Sequence, residues 1–122
     1  MPRPVHFELP ADDPARAVRF YESVCGWTFS RWDGPREYWR VSTGPEGSRG
    51  IDGGLMCRTH PGASTVNVVD VASVDDTTRA VERAGGAVVA PKMAIHGVGW
   101  VAYYRDPDQN VFVVMQSDPA AR

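Results

Sequence analysis

Pro4-Val5-His6-Phe7-Glu8-Leu9-Pro10, running into Ala11-Asp12-Asp13-Pro14-Ala15-Arg16-Ala17-Val18-Arg19-Phe20-Tyr21, is the stretch on which the reading of this chain turns. The first part alternates as a strand does. The second begins like a helix, with Asp12 or Asp13 to cap it and Pro14 in the first turn, where a missing N–H costs nothing. Ala17, Phe20, Tyr21 and Val24 follow at helical spacing and predict one apolar helix face. Gly26 supplies a C-terminal cap. On a strand, His6 and Glu8 are two residues apart and point to the same face. An imidazole and a carboxylate side by side, just before a helix, predict a polar site within an otherwise apolar sheet.

Three further strands follow, over residues 27–32, 38–42 and 51–57, separated by a turn at Asp33-Gly34-Pro35 and a loop over residues 44–50. Gly53 and Gly54 lie inside the last of these and predict a bulge or a close approach to the backbone. A turn at Thr59-His60-Pro61-Gly62 links this half to a second one. The pattern then returns: a strand over 65–71, a helix over 75–84 stopped by Gly85-Gly86, a short strand over 87–89, a loop over 91–99, and strands over 100–105 and 111–116. The remaining tail, 118–122, reads as loose.

The two halves superpose in two registers. Asp12-Asp13 and Arg16-Ala17-Val18 recur as Asp75-Asp76 and Arg79-Ala80-Val81, 63 positions on, whereas Gly26 falls on Gly86 at an offset of 60. The offset of 60 is preferred, because helix ends fix geometry and short identities recur by chance. Each half is then strand-helix-strand-strand-strand. One such half leaves an apolar sheet face uncovered, so two must pair.

The totals narrow the function classes. The 122 residues make one domain with a real core, 43% hydrophobic and 23% charged, with a net charge of −2. No basic block marks a nucleic-acid surface. No apolar run approaches the ~20 residues that span a bilayer. The N-terminus runs straight into a strand without a signal-peptide core, which predicts a cytoplasmic protein with neither nucleic acid nor membrane as partner. Cys25 and Cys57 form no CxxC and predict no disulfide, and Cys25, near the end of a helix, reads as a small buried residue.

The pattern resembles the glyoxalase / bleomycin-resistance / extradiol-dioxygenase superfamily, the vicinal oxygen chelate (VOC) fold, and within it the branch related to lactoylglutathione lyase. The residues that carry the resemblance span nearly the whole chain. They are His6-Phe7-Glu8 before Asp13-Pro14, Phe20-Tyr21, Gly26-Trp27, Gly53-Gly54-Leu55-Met56, Gly85-Gly86, Pro91 to Ile95, Gly97-Val98-Gly99, and Asp106-Pro107-Asp108 before Asn110-Val111-Phe112. The resemblance implies an α+β fold: two βαβββ modules, about residues 4–58 and 64–117, forming a curved mixed sheet around a cavity that is completed in a homodimer.

Metal-dependent members of that superfamily place ligands on the first and last strands of both modules, because a divalent ion needs several lone pairs converging on one point. Carried over one at a time, these positions fall on His6, on Gly53 or Gly54, on Val66 and near Val113. Only His6 is a donor, so it stands as the single candidate metal ligand. A slip of one position reaches Asp52 or Asn67 without restoring a set. The resemblance therefore names no cofactor and disfavours a divalent metal.

Each polar residue carries two readings. His6 is a pocket group or a half-buried strand histidine. Glu8 is a general base, its pKa raised by desolvation, or a structural carboxylate. His96 sits in a loop that can bring it to a ligand, whereas His60, in a turn, reads as exposed. Trp39, Met56, Asn67, Trp100 and Tyr103 are the candidate lining of a substrate pocket, although alternation sends strand neighbours to opposite faces. Asp106-Pro107-Asp108 is a turn and not a calcium loop. Gly97-Val98-Gly99 lacks the strand-to-helix setting of a dinucleotide site.

Two functions fit. In one, His6, Glu8 and His96 serve an isomerase- or lyase-type enzyme that moves protons in the cavity. In the other, the chain is a metal-free small-molecule binder of the bleomycin-resistance type.

Overall fold

The computed structural model describes residues 2–122, which form eight strands and two helices. In chain order these are β1 (Arg3–Ala11), α1 (Pro14–Cys25), β2 (Thr28–Arg31), β3 (Tyr38–Ser42) and β4 (Asp52–Cys57), then β5 (Val66–Asp70), α2 (Val74–Arg83), β6 (Ala87–Ile95), β7 (Gly99–Arg105) and β8 (Val111–Ser117). The fold is α+β, and the order strand-helix-strand-strand-strand occurs twice. The chain divides into two compact units, residues 6–65 and residues 66–122 together with the start of β1 up to Val5.

In the first unit the strands lie in the order β2-β3-β4-β1. β1 runs parallel to β4, and the other neighbours are antiparallel. Asp13 caps α1 by accepting from the Arg16 N–H, Pro14 begins the helix, and Gly26 ends it with φ at 71°. A side chain at Gly26 would pay for that left-handed backbone, which glycine adopts freely. The helix-side core holds Val41 and Leu55, both nearly fully buried, with Phe7, Leu9, Trp39 and Ala17 packed around them. Burial of each large side chain there stabilises by about 1.5–3 kcal/mol.

The covered face of α1 differs from the expected one. Ala17 and Val18 pack on the sheet, and Tyr21 stacks on Trp27 with ring centroids 5.0 Å apart. Phe20 and Val24 are instead 56% and 64% exposed. The sheet meets the stripe running from Pro14 through Ala17 and Val18 to Tyr21, and Phe20 and Val24 lie further round the helix.

The second unit has the order β5-β8-β7-β6, again with one parallel pair, β5 with β8. Ser73 caps α2, so the two helices begin 60 positions apart, in the register that the helix-ending glycines favoured. Tyr104, Val74, Ala102 and Val114 form its helix-side core. The opposite face carries Val68, Val101 and Val113 with Tyr103 and Met115 against them.

Two expectations fail in this unit. Residues 91–95 are not a loop, because β6 continues through Pro91 to Ile95. Its pairing with β7 shifts register around Pro91, between Ala90 and Met93, and the strand lies at the edge of its sheet, where a residue without an N–H is tolerated. Nor is the tail loose. Ala121 is fully buried, its carbonyl accepts from the Gly97 N–H at 2.9 Å, and the Asp118 N–H donates to the Val98 carbonyl at 3.0 Å. No helix among the described residues is long and apolar enough to cross a membrane.

Candidate functional site

The site lies within the first unit, on the sheet face that α1 leaves open. Alternation sets its membership. Phe7, Leu9, Trp39, Val41 and Leu55 face the helix, so His6, Glu8, Tyr38, Arg40, Asp52, Gly54 and Met56 face the other way. The register arranges these residues in rows across the strands. Asp52 is beside His6, Gly54 stands between Glu8 and Arg40, and Met56 is beside Tyr38.

One contact crosses the rows. The hydroxyl of Tyr38, on β3, lies 3.1 Å from Nε2 of His6, on β1, and both side chains are half-buried. The phenol reaches over β4 at Gly54. A Cβ built there would clash with the Tyr38 hydroxyl and the end of its ring. Gly53, whose side chain would face the helix, makes similar room for the Phe7 ring. The paired glycines expected to mark a close approach are thus occupied from both faces by aromatic rings.

Electrostatics bias this pair toward its neutral forms. Burial lowers the His6 pKa, and the opposing pull of Asp52 is smaller. Asp52 is itself engaged, accepting from the Thr43 N–H at 2.9 Å and facing the Thr43 hydroxyl at 3.3 Å. The Tyr38 pKa is pushed up to about 12, first by burial and then by the charge of Glu8, with Arg40 acting the other way. At neutral pH the face thus presents a neutral imidazole and a protonated phenol in mutual contact, with the carboxylate of Glu8 on the same strand.

The other expected site residues fall elsewhere. Trp39 is a core residue on the helix side, with the Arg31 guanidinium over its ring, so it is not part of this face. Trp100 packs against the helix-side core of the second unit and donates Nε1–H to Asp118 at 3.0 Å. Tyr103 and Asn67 belong to the second unit, the former in its apolar cluster and the latter exposed. His96 is exposed in the β6–β7 turn, and His60 is exposed as expected. Met56 does share the face of Tyr38.

Sequence reasoning missed the partnership of Tyr38 with His6 and overlooked Arg40. The signals were the alternation of Tyr38-Trp39-Arg40 and a glycine on the neighbouring strand.

A divalent metal does not fit these residues. Nε2 of His6 already faces the Tyr38 hydroxyl, Gly54 offers no donor, and Val66 and Val113 sit in an apolar cluster. Among the described residues no three His, Cys, Asp or Glu side chains converge.

Residues 3–44 match the family model described as bleomycin resistance protein-like N-terminal. A comparison with curated protein sequences finds no match. Solved structures match over nearly the full chain. A glyoxalase/bleomycin resistance protein/dioxygenase superfamily member from Vibrio splendidus is 17% identical, with a TM-score of 0.65 over 97% of this chain and 100% of that one. The methylmalonyl-CoA epimerase of Streptomyces coelicolor is 13% identical, with a TM-score of 0.69 over 98% and 97%. A hypothetical protein from Bacillus halodurans is 11% identical, with a TM-score of 0.71 over 99% and 98%. At these identities the likeness is one of fold, and the fold is shared with that superfamily member and with that epimerase.

Proposed function

We propose that this chain is a glyoxalase-like member of that superfamily and a small-molecule enzyme of the isomerase or lyase type, moving a proton at a carbon next to a carbonyl without a metal. The observation that carries this reading is the 3.1 Å contact between His6 Nε2 and the Tyr38 hydroxyl on the open sheet face. A lowered imidazole pKa keeps His6 a neutral base at pH 7. A phenol held protonated is a hydrogen-bond donor for oxygen that gains charge as the proton leaves.

The step balances on these groups. A substrate carbonyl takes the place of the imidazole as acceptor for the Tyr38 O–H, which frees Nε2. The C–H proton passes to Nε2, and the electron pair left on carbon forms an enolate whose oxygen accepts from Tyr38. Return of the proton from the imidazolium, to the same carbon or a conjugated one, completes the isomerisation. Glu8 is the second acid/base group on this face and stabilises the transient imidazolium. Proton transfer of this kind contributes about 10²–10⁴-fold.

The match of residues 3–44 to the bleomycin-resistance-like model favours a second reading, a binding protein that sequesters its ligand unchanged. Incubation with small carbonyl compounds in D₂O, followed by proton NMR, separates the two. Enzyme-dependent loss of the C–H signal next to the carbonyl, abolished by His6→Ala and reduced by Tyr38→Phe, is expected. Ligand binding without exchange would sink the enzyme reading and leave the binding one.

A further inference from the structure

We infer that Arg40 is the specificity-determining residue of this face and that the substrate is a carboxylate whose carbonyl lies between the acidic C–H and the carboxylate, that is, a 2-oxo acid. The inference rests on the proton-transfer reading of His6 and Tyr38 and names the substrate class for it.

The groups of this face stand in a fixed order across the strands. Arg40 stands directly beside Gly54 on β3, and Glu8 stands directly beside Gly54 on β1. Neighbouring strands are about 4.8 Å apart, so Arg40 and Glu8 are separated by about 10 Å of face floored by a residue with no side chain. The Tyr38 hydroxyl occupies the space over that floor. From β1 towards β3 the groups are therefore a base, His6, then a hydrogen-bond donor, Tyr38, then a cation, Arg40. A ligand that satisfies them in turn presents a proton, a carbonyl oxygen and an anion in the same sequence. In a 2-oxo acid the C3 proton, the C2 carbonyl and the C1 carboxylate follow in that order.

Arg40 is exposed and takes no part in the ion pairs Arg58–Asp12, Arg79–Asp76 and Lys92–Asp75. Its flat fork matches a planar carboxylate in two parallel hydrogen bonds. A carboxylate held there also fixes the C2 carbonyl within reach of Tyr38, which is what a positioned proton transfer requires.

The test uses pyruvate, 2-oxobutyrate and phenylpyruvate, each with its methyl ester, against the wild-type chain, Arg40→Gln and Arg40→Lys. Binding is followed by calorimetry, and C3 proton exchange in D₂O by NMR. The wild type is expected to bind at least one acid tenfold or more tightly than its ester. Arg40→Gln is expected to erase that preference, with Arg40→Lys recovering part of it. No preference for the acids, no binding of them, or a preference that survives Arg40→Gln would overturn the inference. Exchange of the esters as fast as the acids would overturn it too while leaving the proton-transfer reading intact. Acids that bind through Arg40 without exchanging would remove the proton-transfer reading and keep the carboxylate site.

Discussion

His6 and Tyr38 meet across an intervening strand, Nε2 to hydroxyl at 3.1 Å, because the residue between them, Gly54, has no side chain. The glycine that admits the phenol is one of the two, Gly53 and Gly54, on which the resemblance places a metal-ligand position of β4.

Gly54→Ala tests that relationship directly. The added methyl falls on the Tyr38 hydroxyl, so the phenol must swing off the face. Overpacking costs about 1–3 kcal/mol, and a half-buried side chain with room to move puts this case near the low end. The fold is expected to survive, with urea unfolding showing a loss of about 1 kcal/mol. C–H exchange is expected to fall at least about tenfold, because the oxyanion donor is gone. Unchanged exchange would show that Tyr38 has no part in the reaction.

The His6 imidazole gives a pH signature with a defined sign. Its folded pKa lies below the unfolded value of 6.5, so the unfolded chain binds more protons between the two. Stability therefore rises with pH through that window. His6 contributes nothing adverse above pH 6.5 and costs stability as the pH falls from 6.5 toward the folded pKa. Denaturation midpoints measured between pH 5 and 7.5 are expected to slope upward, and His6→Gln is expected to flatten the slope. The acid limb of kcat/KM should lie below pH 6.5 for the same reason.

Much of the fold was legible in the sequence, and the exceptions have local causes. The cap at Asp12 or Asp13, the one at Gly26 and the limits of β3 announce themselves, since capping chemistry and alternation act within a few residues. The run of β6 through Pro91 did not, because proline marks a break unless the strand is known to lie at an edge. His6 and Glu8 were visible as a face, but Tyr38 was not visible as their neighbour. That contact depends on the β3–β4–β1 order and its register, which no local pattern encodes. That Trp39 and Trp100 lie on the helix side was hidden for the complementary reason, as alternation gives two faces without saying which one the helix covers.

Tyr38 gives the alkaline counterpart. Its folded pKa is pushed up to about 12, against 10.0 for an unperturbed phenol. The unfolded chain loses this proton first, so stability present below pH 10 is lost as the pH rises from 10 toward 12. Ultraviolet difference titration is expected to show a phenol phase near pH 12 that is absent from Tyr38→Phe. A titration of Tyr38 near pH 10 would place the phenol in open solvent and remove it from the site.

Composition and structure disagree about the C-terminal tail. Composition alone reads residues 118–122 as loose. In the structure Asp118 accepts from Trp100 Nε1 at 3.0 Å and from the Ala120 N–H at 2.9 Å, and these two bonds hold its carboxyl below the usual range. The Ala121 carbonyl takes the Gly97 N–H, and the Asp118 N–H is donated to Val98, so the tail pins both sides of the β6–β7 turn. Ending the chain at Ser117 removes these two backbone bonds, each worth about 1 kcal/mol net, and a destabilisation of about 2 kcal/mol is expected in urea. The sign with pH follows from the lowered pKa of Asp118. Its contribution is present above pH 3.8 and is lost as the pH falls through the folded value. Asp118→Asn should therefore lower the melting temperature at pH 7 and leave it close to that of the parent chain in strong acid. A truncated chain with the parent's urea midpoint would show that the tail contributes nothing, and that His96, at the head of the same turn, is held by the hairpin alone.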